Sequence, residues 1–233
     1  MQILLFDFLN AYPYRRALEK AGLRYTLLPT PREVLKAWEA GEGDVALLPV
    51  AAARDVRFLL PWGIGSQGPV QSVLLVSHFP LEKWRQIELD GASTSAAAMV
   101  RYAIKQGALP DLPITAGELS EMPGARLVIG NAALTAGLLY PYVLDLGQLM
   151  YELTHRTVVF AVWCARQAEA QVLEAHWQNM PFTSQLLKEA AQRYGFSSAR
   201  IQTYWQALRY FLPLSDILFW KDLLSAFTAP SRP

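Results

Sequence analysis

The sequence of 233 residues has few of the side chains that bind metal ions or form covalent cross-links. It contains one cysteine, Cys164, and three histidines, His78, His155 and His176, whose wide separation is unlike the spacing of metal ligands. One cysteine cannot form an internal disulfide, and its place in the apolar stretch 158–165 predicts a buried, unreactive thiol. We therefore expect no metal site, no cofactor and no cysteine nucleophile.

Charged residues are scarce as well: they make up 18% of the sequence, against 52% hydrophobic residues, and the formal net charge is +1. This balance predicts a compact globular protein and gives no reason to expect a nucleic acid or an acidic protein as partner. The sequence has no run of apolar residues long enough for a membrane span, so we expect no membrane association. The first residues lack the basic segment, apolar core and small-residue cleavage site of an export signal, which predicts a cytoplasmic location.

Short apolar runs predict the strands of a buried sheet. The runs are nearly continuous rather than alternating, a pattern typical of a sheet that is covered on both faces. They are residues 2–8, 44–50, 72–77, 126–130 and 157–163. Helical patterns alternate with them: Thr30-Pro31-Arg32-Glu33 is a capping box with proline at the first helical position, and residues 95–106 form a second helix. This alternation predicts an α/β fold.

The last third of the chain has a different pattern, because no strand is predicted after about residue 166. Helices are predicted at residues 166–178, 183–194 and 198–211. In the last of these, aromatic and aliphatic residues that include Tyr204 and Trp205 follow helical spacing. Such a stripe is more typical of core packing than of a binding surface, so we predict that it packs in the core.

The chain is long enough for two lobes with their own cores. We predict that it crosses between them near Pro80 and near Trp163. Lobe 1 would then hold residues 1–79 and 164–233, and lobe 2 would hold residues 80–163. Two crossings make a hinged cleft, and ligand pockets occur preferentially at such interfaces.

Small polar residues at the ends of the predicted elements are the candidates for contact with a ligand. Asn10 follows the first strand, at the carboxyl end where open α/β sheets bind ligands. The other candidates are Ser66, Gly68 and Ser72 before and at the third strand, Ser93, Thr94 and Ser95 at the start of the second helix, and Asn131 after the fourth strand. A helix start rich in hydroxyl groups binds carboxylates well, because its free N–H groups and its dipole attract an anion.

Structural alternatives stay open for these residues. The run Ser93-Thr94-Ser95 is equally well explained as an N-cap, and Asn10 as a turn residue. The segment 63–68 matches the Gly-x-Gly-x-x-Gly dinucleotide pattern by letter, but it precedes a strand instead of opening a helix after one, so we assign no nucleotide site. The residues alone therefore predict a two-lobed cleft that binds a small anion.

Five segments together resemble the chorismate dehydratase family of the futalosine route to menaquinone. They are Asp7 to Pro13, Gly43 to Ala46, Ser66 to Ser77, Leu127 to Leu134, and Asp145 to Gly147 running on to Val159 to Trp163. They occur in the order of the family and extend over residues 7–163. The resemblance implies the two-lobed type II periplasmic-binding-protein fold.

The resemblance also implies an activity, the conversion of chorismate to 3-[(1-carboxyvinyl)oxy]benzoate and water. Asn10 and Ser72 match an asparagine and a serine that contact the substrate in that family, and the turn at Ser93-Thr94-Ser95 is similar to one that would receive a carboxylate. We find no convincing general base among the histidines. The implied mechanism is therefore substrate-assisted: a carboxylate of chorismate takes the ring proton while Asn10 and Ser72 hold the substrate in a reactive geometry.

Three other functions stay open at this point, and the weakest is the effector domain of a transcription regulator. The sister enzyme of the same pathway, which cleaves cyclic dehypoxanthine futalosine, would be expected to use a histidine base, and His155 is the candidate to test. A non-catalytic protein that binds small anions is the second, and the missing export signal argues against it. The sequence departs from the family at Asn131, where Asp is usual, and at residues 155–157, where Gly-Leu-Pro is usual. We expect His155 and Arg156 to be exposed.

Overall fold

The computed structural model of the protein describes residues 1–89, 91–116, 123–178, 180 and 182–228. In this part of the chain, two β-sheets form the centres of two lobes, and helices cover them. The α/β fold with two lobes and a largely helical C-terminal segment, predicted from the sequence, is confirmed.

The first lobe is built on a six-stranded sheet. Its strands are β1 (Ile3–Phe6), β2 (Tyr25–Leu28), β3 (Val45–Pro49), β4 (Phe58–Ser66), β10 (Val158–Ala165) and β11 (Leu208–Phe211). They lie in the order β11-β4-β10-β3-β1-β2, with β1 parallel to β2 and β3, and β10 antiparallel to β3 and β4. The three central strands β10, β3 and β1 are buried along their whole length, as continuous apolar runs predict.

The second lobe is built on a five-stranded sheet. Its strands are β5 (Val73–Ser77), β6 (Ile87–Leu89), β7 (Ile114–Ala116), β8 (Ala125–Ile129) and β9 (Tyr142–Asp145). They lie in the order β7-β6-β8-β5-β9. β5 is antiparallel to β8 and β9, whereas β6 is parallel to β7 and β8.

Nine α-helices lie in the described part of the chain. They are α1 (Tyr12–Lys20), α2 (Pro31–Glu39), α3 (Thr94–Lys105), α4 (Gly130–Leu139), α5 (Leu146–Thr154), α6 (Glu174–Gln178), α7 (Ser184–Tyr194), α8 (Ser198–Ala207) and α9 (Leu214–Ser225). The predicted cap of α2 is formed, because the Glu33 N–H donates to Thr30 Oγ1 at 3.3 Å. Within the described ranges, no helix combines the length and the hydrophobicity that crossing a bilayer requires.

The boundaries between the two lobes differ from the predicted ones. Strand β5 was placed in lobe 1 by the sequence but belongs to the second sheet, and β10 was placed largely in lobe 2 but lies in the first sheet. The chain passes from the first sheet to the second at residues 67–72 and returns at residues 155–157. Hydrophobicity locates a buried strand along the chain, but a buried strand can pair in either sheet, so its lobe cannot be read from the pattern.

Strand β4 was not predicted, because it contains residues that usually interrupt strands. Here the glycines are required by a close approach between two strands. A Cβ added at Gly63 would lie 2.2 Å from the backbone oxygen of Ala161, and one added at Gly65 would lie 2.6 Å from that of Val158. The segment that matched a dinucleotide pattern by letter therefore lies mostly in a strand of the first sheet.

The C-terminal segment corrects one prediction and confirms another. Residues 208–211 were predicted as the end of a helix but form strand β11, in which buried and exposed residues alternate. Most of the aromatic stripe packs in the core as expected, because Tyr204 and Trp205 are buried, but Phe211 in β11 is 61% exposed. The Nε1 of Trp220, on α9, donates to the backbone oxygen of Thr157 at 2.8 Å and fixes the segment to the start of β10.

Cys164 is fully buried within β10. Burial raises the pKa of its thiol far above the usual value, because the thiolate has no water around it. The sequence-based prediction of a buried thiol is confirmed, and a group with so high a pKa is a poor nucleophile at neutral pH.

Candidate functional site

A narrow pocket lies between the two sheets, at the ends of β1 and β5 that face one another. It has a cavity volume of about 40 Å³. All the described side chains in its lining are uncharged: Phe6, Phe8, Asn10, Pro31, Pro49, Ile64, Ser72, Val73, Ser93, Ala96, Ile129, Gly130, Phe160 and Ala161. Three of them, Asn10, Ser72 and Ser93, are polar and were candidates from the sequence.

Asn10 lies in the turn between β1 and α1, and aromatic side chains from the C-terminal segment hold this turn in place. Trp205 Nε1 donates to the backbone oxygen of Leu9, and the Tyr210 hydroxyl donates to that of Asn10, both at 3.0 Å. The residue is 8% exposed, and its side-chain Oδ1 has no hydrogen-bond partner among the described residues. A buried oxygen without a partner costs about 1–3 kcal/mol, so this atom is well suited to accept a hydrogen bond from a ligand.

Ser72 reaches the pocket from the opposite side, at the end of the segment that crosses to the second sheet and just before β5. Its position depends on a turn in which Gln71 takes a positive φ of 60°. The Tyr204 hydroxyl donates to Ser72 Oγ at 2.8 Å, and the Gly130 N–H donates to the Ser72 backbone oxygen at 2.8 Å. Burial raises the pKa of Tyr204, although hydrogen bonding to Ser72 and Asn10 acts in the opposite direction.

The starts of several helices surround the pocket. Ser93 is the N-cap of α3 and accepts from the Ala96 N–H at 3.3 Å. Helix α4 begins at Gly130, which lines the pocket, and no side chain caps its start. Helix α1, which follows the turn at Asn10, has no side-chain cap either. The first N–H groups of a helix have no partner within it, so helix ends suit an anion. Here the N–H groups of Tyr12 and Gly130 donate to the backbone oxygens of Leu9 and Ser72. Binding of a carboxylate in this pocket stays a prediction.

The other sequence candidates make contacts within the protein, outside the lining of this pocket. The Ser66 hydroxyl donates to the backbone oxygen of Gly68 at 2.9 Å. Ser95 accepts from the Ala51 N–H at 3.1 Å, and Asn131 Oδ1 accepts from the Leu9 N–H at 2.9 Å. Thr94 borders a separate surface groove between α2 and α3. Direct contact of these residues with a ligand stays a prediction.

The histidines and Arg156 lie away from the pocket. His155 ends α5 in a left-handed conformation, with a φ of 53°, and is exposed, as expected. Arg156 is also exposed and forms an ion pair with Asp216 at 3.1 Å. Neither residue, nor His78 or His176, is part of the pocket lining.

Two residues that support the site were missed in the sequence. Asp145 accepts hydrogen bonds from the N–H groups of Val70 and Gln71, at distances down to 2.7 Å, and so holds the turn before Ser72. Burial raises the pKa of the Asp145 carboxyl, while these N–H groups lower it. Tyr204 was predicted as core, and no sequence signal distinguishes a core tyrosine from one whose hydroxyl reaches a site.

The sequence matches a known protein family. A family model described as menaquinone biosynthesis matches residues 1–216. The chain is 27% identical, over an alignment of 257 residues, to a chorismate dehydratase from Thermus thermophilus, and the alignment covers 97% of this chain and 94% of that protein.

Solved structures with low sequence identity share the fold. Protein AF1704 from Archaeoglobus fulgidus has a TM-score of 0.68 and 14% identity, with 97% of this chain and 96% of that chain covered. The periplasmic aliphatic sulphonate binding protein SsuA from Escherichia coli has a TM-score of 0.62 and 15% identity, with 97% and 91% covered. These likenesses confirm the periplasmic-binding-protein fold that the sequence resemblance implied.

Proposed function

Because the chain belongs to the menaquinone biosynthesis family, whose model matches residues 1–216, we propose that it is a chorismate dehydratase. The relative from Thermus thermophilus, at 27% identity over nearly the whole chain, supports this reaction. The structural observation that carries the proposal is the meeting of Asn10, Ser72 and the start of α3 around one uncharged pocket. Such a site can bind and orient a dicarboxylate.

Dehydration of chorismate needs orientation more than a strong base. The C–H bond at the ring carbon that carries the enolpyruvyl ether breaks, and its electron pair forms a ring double bond. The C–O bond to the neighbouring hydroxyl breaks, and the proton and hydroxide leave as water. Because the ring becomes aromatic, the products are strongly favoured. The protein has to hold chorismate so that a carboxylate of chorismate reaches the ring proton.

The polar residues of the pocket suit these tasks. The free Oδ1 of Asn10 would accept a hydrogen bond from the ring hydroxyl. Ser72, which already accepts a hydrogen bond from Tyr204, would donate its own proton to a carboxylate. The start of α3, at Ser93, would receive the second carboxylate. Orientation of this kind supplies on the order of 7–11 kcal/mol at best.

The size of the pocket adds a requirement for movement. A cavity of about 40 Å³ holds a few water molecules and is too small for a ring with two carboxylate arms. The lobes would separate to admit chorismate and close around it, and closure would exclude bulk water and strengthen the hydrogen bonds to the substrate.

Incubation with chorismate, followed by mass spectrometry, tests the reaction. We expect a product that is lighter than chorismate by one water and that has the ultraviolet spectrum of a substituted benzoate. Unchanged chorismate together with thermal stabilisation of the protein would instead support a binding protein. Conversion of cyclic dehypoxanthine futalosine, lost in His155→Ala, would support the sister enzyme.

Replacement of the two pocket residues tests their roles. We expect Asn10→Ala and Ser72→Ala each to lower kcat/KM by about 100-fold, a loss typical of removing one positioned hydrogen-bonding group. Ser77→Ala is the matched control, because Ser77 is a buried serine at the far end of β5 whose hydroxyl donates to the backbone oxygen of Gly124 at 2.7 Å, outside the pocket. If all three variants keep the wild-type kcat/KM, the assignment of Asn10 and Ser72 is wrong.

A further inference from the structure

The hydroxyl groups of Tyr204 and Ser72 form a fully buried pair. Both residues are 1% exposed, and their oxygen atoms lie 2.8 Å apart. Tyr204 is on α8, in the C-terminal segment of the first lobe, whereas Ser72 immediately precedes β5, a strand of the second sheet. The pair therefore joins the two lobes directly beside the pocket.

The direction of this hydrogen bond follows from counting donors and acceptors. A hydroxyl has one proton and can accept through its lone pairs. In the described part of the chain, Ser72 Oγ is the acceptor that the Tyr204 proton reaches. The Asn10 side chain also hydrogen-bonds with the phenolic oxygen of Tyr204. Because Asn10 Oδ1 has no partner among the described residues, the bonding atom is the amide nitrogen Nδ2, which can only donate. Tyr204 thus receives from Asn10 and donates to Ser72.

From this arrangement we infer that Tyr204 is a positioning residue: its proton occupies one lone pair of Ser72 Oγ and so turns the Ser72 proton toward the pocket as a hydrogen-bond donor to an anionic ligand. The inference rests on the proposed function and deepens it, since it adds to the site a residue from the C-terminal segment that does not line the pocket. It also explains why a neutral serine suffices to hold a carboxylate.

The buried phenol of Tyr204 also keeps its proton, as a donor must. Burial raises the pKa of Tyr204 well above its usual value, so the hydroxyl keeps its proton at neutral and mildly alkaline pH. Tyr204 therefore remains a donor, and the proton that Ser72 offers to a ligand is its own. No proton needs to move between the two residues.

A double-mutant cycle tests the inference. Tyr204→Phe removes the hydroxyl and keeps the ring, and we expect kcat to fall about 10-fold or more while KM changes less than kcat, because the Ser72 hydroxyl is then free to rotate. In the Ser72→Ala background, Tyr204→Phe should cause no further loss, since the group that it positions is absent. Additive losses in an active enzyme would overturn the inference and leave the proposed function standing.

A second tyrosine provides the matched control. The Tyr14 hydroxyl is also buried and donates to the backbone oxygen of Gly63 at 2.8 Å, and neither residue lines the pocket. Tyr14→Phe should lower the urea midpoint of unfolding about as much as Tyr204→Phe does. It should change kcat/KM less than twofold, both in the wild-type protein and in the Ser72→Ala variant. An equal loss of kcat/KM in Tyr14→Phe and Tyr204→Phe would show a general effect of lost buried hydroxyls and would also overturn the inference.

The same variants separate this inference from the proposed function. If the wild-type protein does not convert chorismate, the proposed function is wrong, and the urea midpoints of wild type, Tyr204→Phe, Ser72→Ala and the double variant decide whether the pair exists. Non-additive midpoints would support the Tyr204–Ser72 hydrogen bond without any substrate. Additive midpoints would overturn it.

Discussion

Gly130 stands where the start of α4, the pocket and the ring of Phe8 meet. Its φ is +62°, a left-handed conformation that favours glycine. A Cβ added to Gly130 would lie 2.5 Å from the Phe8 ring. The Gly130 N–H donates to the backbone oxygen of Ser72 at 2.8 Å. Backbone conformation, close packing and a hydrogen bond to the site thus all depend on the absence of a side chain.

Gly130→Ala is therefore expected to destabilise the protein and to lower its activity. The left-handed conformation costs an alanine about 1–2 kcal/mol, and displacement of Phe8 adds to this. Gly22→Ala is the matched control, because Gly22 has a φ of +66° but no atom within 4 Å of the added Cβ. Thermal unfolding and kcat/KM should both be affected more in Gly130→Ala. Equal effects of the two substitutions would mean that the contact with Phe8 carries no cost.

The sequence located some site residues and not others, and the difference has a physical cause. Asn10 and Ser72 stand beside strand ends, which can be recognised from local patterns, and both line the pocket. Ser66 and Ser95 have similar local patterns, but their hydroxyls bond to backbone atoms elsewhere. Tyr204 lies 132 positions from its partner Ser72 in the chain, so its contact depends on how the lobes meet. The local sequence predicts where a residue lies on a helix or strand, but it does not predict which distant residue it contacts.

The turn before β5 and the start of α5 are joined by one carboxylate. Asp145 accepts from the N–H groups of Gly147 and Gln148, at 2.8 and 3.2 Å, as the N-cap of α5. It also accepts from Val70 and Gln71, in the turn that leads to Ser72. A capping residue that serves two elements fixes the turn relative to the helix.

Asp145→Ala is expected to cost more than the loss of an ordinary cap, which is about 1 kcal/mol. It leaves N–H groups of both elements unpaired, so we expect a loss of about 2–4 kcal/mol in the free energy of unfolding and a fall in kcat/KM as Ser72 shifts. Thr183→Ala, which removes the Thr183 cap of α7 at 3.2 Å, is the control for a simple cap. Urea unfolding measures both. A loss no larger in Asp145→Ala than in Thr183→Ala would contradict the joint role.

The strands that the sequence predicts correctly are those with a long, continuous apolar run. The predicted strands correspond to β1, β3, β5, β8 and β10, the buried centre of the two sheets. Strands β6 and β7 have three residues each, too few to show a period, and β2 lies at the edge of its sheet and is only partly buried. Such strands are stabilised by pairing with neighbours that are distant in sequence, which no local pattern records.

Hydrogen bonds near the pocket join the two lobes. Asn131, on α4, accepts from the Leu9 N–H at 2.9 Å, and Ser95, on α3, accepts from the Ala51 N–H at 3.1 Å. Both acceptors lie in the second lobe and both donors in the first. Under the proposed function, chorismate does not fit the pocket in this arrangement, so these bonds would break and form again in each turnover.

Asn131 offers a test of this closure that does not touch the polar residues of the pocket. Asn131→Leu removes the acceptor and leaves the Leu9 N–H unpaired, which should cost the closed form about 1–3 kcal/mol. We expect a larger radius of gyration by small-angle X-ray scattering and a KM raised about 10-fold, with a smaller change in kcat, since closure holds the substrate. Asn131→Asp keeps an oxygen acceptor at the same place and should keep the wild-type radius and KM. If Asn131→Leu matches Asn131→Asp in both measurements, the bond to Leu9 does not govern closure, and the lobes are held by packing such as that of Phe8 against Gly130.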